Sequence, residues 1–215
     1  MLAKDLRRGH DHRVVAEFHK KSRSFYPLVD PPSKKQNATK KMTHPIQLPH
    51  LINQLNFNYT YLLNLVSDIE EEAMTHTPNK GLENHPTFTI GHIITAYGLT
   101  IKKLGGKYNI KKEWDEIFRR NGPGDPRLPI KEKDRYPTKE VLLLELKNQH
   151  ETMLNYLNKT TNEKLNEEVT WRFSNHFPKT IDFLYFMLVT HYSMHISQLA
   201  AWRRAMNLPS SLARL

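Results

Sequence analysis

The chain has 215 residues, 38% of them hydrophobic and 25% charged, with a formal net charge of +10 and no cysteine. That size supports one domain with a real core plus an appendage. The lack of cysteine excludes disulfides, thiolate metal sites and a thiol nucleophile from the protein itself, and it favours an intracellular chain. No stretch reaches the roughly 20 uncharged apolar residues of a membrane span or the apolar core of a signal peptide, so a cytoplasmic protein without a membrane partner is expected.

The charge is unevenly spread. Residues 1–41 hold eleven Lys/Arg against four Asp/Glu, a net of +7, whereas residues 42–215 hold twenty-one against eighteen, a net of +3. Runs such as Lys20-Lys21-Ser22-Arg23 and Pro31-Pro32-Ser33-Lys34-Lys35 have no sustained apolar period and read as a disordered basic extension. A solvated tail, or an upstream extension before Met42, accounts for it. The functional alternative is an accessory role on nucleic acid through non-specific phosphate contact. The remaining residues, 42–215, are read as one domain.

From Thr43 onward the pattern is helical. Ile52, Leu55, Tyr59, Leu62, Val66 and Ile69 recur at offsets of three and four, which predicts a long amphipathic helix over about 47–74. A second helix is predicted over about 87–104, with Phe88, Ile90, Ile94, Tyr97, Ile101 and Leu104 and a stop at Gly105-Gly106. Residues 107–136 form a long Pro-, Gly- and charge-rich connection, in which Trp114 and Phe118 suggest a short helix over the bundle edge. The third helix is expected from Pro137 to about 158, through Leu142, Leu146, Met153 and Leu157. The fourth, about 180–206, has Thr180 as a candidate cap and stops before Leu208-Pro209. Four such helices and no alternating strand pattern predict an all-α four-helix bundle with a long connection between helices two and three.

Three histidines carry the chemistry. His191 and His195 are four residues apart on the fourth helix, which stacks them on one face about 6 Å apart along the axis. The stripe Leu184, Met187 or Leu188, His191, His195, Gln198 and Trp202 turns both toward the core. Such a pair either satisfies its nitrogens with backbone and hydroxyl groups or binds a metal. His92, midway along the second helix, is the third candidate, but Ile90, Ile93 and Ile94 surround that helix too broadly to fix its inward face. Spacing alone therefore supports the pair and leaves His92 open.

The segment Phe88 to Gly106, with Ile90-Gly91-His92 at its centre, resembles the second helix of DinB-like proteins, the damage-inducible metal-binding four-helix bundles unrelated to the polymerase of that name. His191-Tyr192-Ser193-Met194-His195, then Gln198-Leu199, a basic turn and Leu208-Pro209, is similar to their fourth helix. Trp114, Phe118 and Tyr136-Pro137 also fit, and the likeness covers about residues 45–212. The resemblance implies that His92, His191 and His195 bind one divalent ion, with Zn, Ni or Fe(II) all suited to neutral imidazoles. Three protein ligands keep a position for substrate, the pattern of a catalytic site. Relatives that use low-molecular-weight thiols imply a thiol S-transferase acting on a small-molecule substrate, and the same electrostatics suit a hydrolase. A stress-response bundle without turnover is the alternative, and a homodimer through bundle faces is implied as well. Ser197 stands where sulfoxide-forming iron relatives carry an acidic residue, so that chemistry is not expected here.

His150 on the third helix and Gln198, one turn past His195, are candidates for orienting a ligand or touching substrate. Arg203 and Arg204 are read as favourable charges at a helix C-terminus, with contact to an anionic substrate as the alternative. Asp68, Glu70, Glu71 and Glu72 read as a solvated helix end, and no residue stands out as a general acid or base.

Overall fold

The computed structural model describes residues 48–122 and 125–215. The expected basic extension over residues 1–41 lies outside them. Among the described residues the chain is helical, and its only extended pairing is a single bridge between Glu168 and Lys179. No described helix is long and apolar enough to cross a membrane.

The first long helix, α1, spans Leu48–Val66 and buries Leu51, Leu55, Asn58, Leu62 and Leu65. It stops well before the predicted end near residue 74. Ser67 donates from its hydroxyl to the carbonyl of Asn64, and Asp68 is drawn to arginines of the C-terminal region, so the chain turns away although Ile69 still packs in the core. The acidic stretch that follows lies past the helix end and is exposed as expected, but two of its carboxylates are engaged. Asp68 pairs with Arg203 and Arg214, and the Glu71 carboxylate accepts from the backbone N–H of Lys139 at 3.0 Å.

Helix α2, Pro86–Lys103, starts with proline at its first position and with His85 as its cap, whose Nδ1 accepts from the Phe88 N–H at 3.2 Å. It is buried on nearly every face, from Phe88 and Ile90 through Ile94 and Tyr97 to Ile101. An apolar pattern all round a helix means a central position, which is why its sequence gave no single inward face. It ends as the glycine pair predicts, with Gly105 at φ 93° and the Gly106 N–H bonded to the Ile101 carbonyl at 2.9 Å.

Helix α3, Lys112–Phe118, supplies the short helix expected in the long connection and packs on α2. Helix α4, Lys139–Lys159, begins two residues after Pro137 because Thr138 takes the cap, its hydroxyl accepting from the Val141 N–H at 3.4 Å. Helix α5, Asn162–Asn166, is a single short turn before the loop around Trp171.

The fourth long helix runs without a break as three pieces: α6 over Thr180–Tyr185, a π-helical turn over Phe186–His191, and α7 over Tyr192–Ala205. Thr180 is not its cap. The Asp182 carboxylate accepts from the Lys179 N–H at 3.1 Å, while the Thr180 hydroxyl donates to the Glu167 carbonyl.

Helix α1 packs against α7 and α4, and α2 packs against α4 and α7. The two consecutive helices α1 and α2 therefore lie across the bundle from each other, joined by the long segment 67–85. That order makes α2 and the π-turn region neighbours, which is the juxtaposition the candidate site needs.

Candidate metal centre

The π turn sets which side chains α7 presents. Leu184, Leu188, Tyr192, Ile196, Leu199, Trp202 and Arg203 are buried, so His191 and His195 fall one position before Tyr192 and Ile196, on the rim. The predicted stripe assumed an uninterrupted α-helix: Leu184 and Trp202 are fully buried as expected, while the wider turn shifts the phase between them and leaves His191 and His195 partly buried. Asn58 of α1 fits into this turn, its amide reaching the Leu188 carbonyl at 3.4 Å.

His92 of α2 faces this rim. Its ring centroid lies 5.3 Å from that of His191 and 4.6 Å from that of His195, and the latter two are 4.5 Å apart. One nitrogen from each ring lies within 4.8 Å of the others.

The hydrogen bonds define the tautomers. His92 Nδ1 is 2.9 Å from the Phe118 carbonyl oxygen, which can only accept, so Nδ1 carries the proton and Nε2 offers its lone pair. His195 Nδ1 is 3.1 Å from Gln198 Oε1, an oxygen that also accepts from Asn84 Nδ2 at 3.2 Å. The same logic leaves His195 Nε2 bare, 3.1 Å from His191 Nε2. A ring N–H fixed on a carbonyl, with the opposite nitrogen aimed at a common point, is the arrangement that orients metal-ligating histidines.

Electrostatics favour the neutral form. Burial lowers the pKa of all three, with His191 brought to about 4; His92 depresses His191 and His195 further, and Arg120 depresses His92. A divalent ion requires neutral imidazoles, so burial removes the proton that would compete with it. The 3.1 Å between the His191 and His195 nitrogens suits two ligands of one tetrahedral ion. Bond lengths near 2.0–2.1 Å put such ligands about 3.3 Å apart. Phe88 stacks near His92 and Phe186 near His191, giving the group an apolar surround.

The family model for the DinB superfamily matches residues 54–199. The chain belongs to the DinB superfamily. No curated protein and no solved structure matches it. Within this DinB bundle the match runs from α1 to α7 and includes all three histidines, in the order and on the helices that the sequence resemblance implies.

Of the other candidates, Gln198 adjoins the cluster and His150 does not. Gln198 sits beside His195, as described, and also bonds Asn84 ahead of α2. His150 is buried at the α4 interface, stacked on Tyr59 at 3.9 Å and bonded through Nδ1 to the Tyr97 hydroxyl and through Nε2 to Asn56 Oδ1. None of these partners is one of the three histidines. Arg203 is 1% exposed and bonded to Asp68 and to backbone carbonyls, a cross-brace rather than a solvated helix-end charge. A cavity of about 360 Å³ lies between His76, His85, Ile130, Lys131 and Tyr136, apart from the three rings. Phe118 reads from sequence as a packing residue, and its carbonyl role has no sequence signature because every residue has a carbonyl. Gly91 did carry a signal, since a glycine inside a helix costs about 1 kcal/mol relative to alanine and so implies a close neighbour.

His150 also sets a pH dependence. Burial lowers its pKa to about 4, against about 6.5 in an unfolded chain. The folded state thus prefers the neutral ring, so this contribution is complete above pH 6.5 and is lost as the pH falls toward 4. The loss approaches about 1.4 kcal/mol per pH unit for one such group. His150→Gln, which keeps one donor and one acceptor, should show a shallower loss of denaturant stability between pH 6.5 and 4 than the wild type. Equal slopes would contradict this assignment.

Proposed function

We propose that His92, His191 and His195 bind one divalent metal ion and that the chain is a metal-dependent enzyme activating a low-molecular-weight thiol or water, of thiol S-transferase or hydrolase type. The observation that carries the reading is the convergence of three neutral imidazole nitrogens within 4.8 Å, with the remote nitrogens of His92 and His195 committed to Phe118 and Gln198. A divalent ion held there supplies Lewis acidity, which lowers the pKa of a thiol or water at its open position. The protein residues do the rest. Phe118 and Gln198 hold two of the rings in register, and Asn84 fixes the Gln198 amide. Phe88 and Phe186 keep bulk water from the sides of the cluster, which strengthens every charge interaction inside it.

Protein purified without a histidine tag and loaded with Zn, Ni or Fe(II) should carry about one ion per chain by elemental analysis. His92→Ala, His191→Ala and His195→Ala should each lose it while keeping the wild-type helical circular dichroism. Metal retained in all three variants, or no uptake by the wild type, would sink the metal reading. The loaded protein should then turn over a thiol with an electrophilic acceptor, or an activated ester with water. Silence across both panels with metal bound would leave a non-catalytic metal-binding bundle instead.

A further inference from the structure

One half-buried cation beside the cluster makes no hydrogen bond or ion pair among the described residues. Arg120 follows α3 by two residues, and its Nη2 is shielded from solvent yet has no hydrogen-bond partner among the described residues. Its guanidinium carbon lies 4.2 Å from the centroid of the Phe88 ring, which also stacks on His92, nearly parallel to it at 5.8 Å. Arg120 is thus one aromatic ring away from a candidate metal ligand. The nearby carboxylate, Asp125, is already committed: it accepts from Arg127 Nε and Nη2 and from the backbone N–H of Asn121.

The Phe88 ring meets the guanidinium's charge in part, but a shielded N–H donor without a partner is costly, and a fold keeps one where something else completes it. The group is planar and its donors form a fork that matches a carboxylate. A dianionic phosphate normally gathers several donors or a helix N-terminus, whereas here one guanidinium stands over the Phe88 ring. Burial also disfavours its charge and Arg127 adds to this, with Asp125 and Tyr136 offsetting only part, so an incoming anion would relieve both effects.

We infer that Arg120 receives the carboxylate of the substrate whose other end reaches the open position at His92, His191 and His195. This rests on the proposed metal site, and it narrows the substrate class to small carboxylic acids that carry the reacting thiol or acceptor. Arg120 is then a specificity residue, and it takes no part in holding the ion.

The test uses the full chain loaded with Co(II), whose sulfur charge-transfer absorption reports thiol binding without turnover. Mercaptocarboxylates of graded chain length, from mercaptoacetate to mercaptohexanoate, are each compared with the mercaptoalcohol of equal length. At the matching length the acid should bind about 10- to 100-fold more tightly, the range for a hydrogen bond to a charged group. Arg120→Gln and Arg120→Met should erase that preference while leaving cobalt content and affinity for the alcohol unchanged, because neither removes a hydrogen-bonded partner. No preference at any length, a preference that survives both variants, or an equal gain with mercaptophosphonates overturns the inference. A second arm separates it from the metal reading. In metal-free protein, hexanoate should shift the Arg120 Nε–H resonance, and an unmoved resonance counts against Arg120 even where cobalt binds. A shift in a protein that takes up no metal supports the anion site and overturns the metal reading alone.

Discussion

Gly91→Ala should lower the stability of the bundle by about 1–3 kcal/mol and weaken metal binding about 10- to 100-fold. A Cβ at residue 91 would run into the ring of Phe118, which is completely buried and packed against α2. Alanine gains up to about 1 kcal/mol of helix propensity over glycine, so the sign depends on whether Phe118 can yield. The collision involves the ring's near edge, Cγ and Cδ1, rather than the tip of a flexible chain, so the ring must move as a body. Its backbone carbonyl holds His92 Nδ1, and the displacement is therefore transmitted to a candidate metal ligand. Gly98, two turns along α2, provides the contrast. A Cβ there meets Ile110 and Tyr108, far from the histidines along the helix. Gly98→Ala should cost similar stability, a fall in Tm of several degrees, with metal affinity unchanged. Equal loss of affinity in both variants would mean that general loosening, not the Phe118 carbonyl, sets His92.

The pair Gly91 and Gly98 shows where sequence reasoning reached and where it stopped. Both glycines lie on one side of α2, and together they let the segment 108–118 approach closely. The helix itself was legible from its apolar residues, and its end from Gly105-Gly106. The long helices α2 and α4 fall within two residues of their predicted limits, because apolar period and turn chemistry are local properties. The early end of α1 was not legible, since it depends on Asp68 meeting an arginine 135 positions later. The π turn was hidden for a different reason: a one-residue change of phase leaves the apolar count of the helix unaltered. Even so, His191 and His195 share a face, because both lie at or beyond the end of that turn and keep their four-residue offset. His92 could be joined to them only through family resemblance, since a helix buried all round has no amphipathic direction to read. Arg120 escaped notice among thirty-two basic residues, because a missing partner is visible only when the neighbours are in place.

Arg203→Ala should be the most damaging single change outside the site, costing about 3–5 kcal/mol and about 10 °C or more in Tm. The side chain is 1% exposed, and its guanidinium spans three segments of the chain. Nη1 donates to the Leu65 carbonyl at 2.7 Å and to Asp68 Oδ1 at 2.5 Å, while Nη2 donates to Asp68 Oδ2 at 2.9 Å and to the Pro209 carbonyl at 2.8 Å. Truncation removes the fork, opens a cavity beside Leu65 and leaves the Leu65 and Pro209 carbonyls without their donor. Arg214 makes the comparison informative, because it also binds Asp68, at 3.0 Å, but from the surface. Arg214→Ala should cost no more than about 1 kcal/mol, the usual value of an exposed pair. Arg203→Lys should recover little, since a single ammonium cannot reach a carboxylate and two separate carbonyls. The pair also has a pH signature. Hydrogen bonds from Arg203 and Arg214 hold the Asp68 carboxyl well below the ordinary carboxylate range. A depressed carboxyl pKa contributes stability that is complete above about pH 4 and is lost as the pH falls below it. Asp68→Asn should therefore lower stability at pH 7 and narrow its distance from the wild type as the pH drops below 4. Arg203→Ala and Arg214→Ala of equal cost would show that burial of the guanidinium adds nothing, and that α1 and α7 are held by their apolar stripes alone.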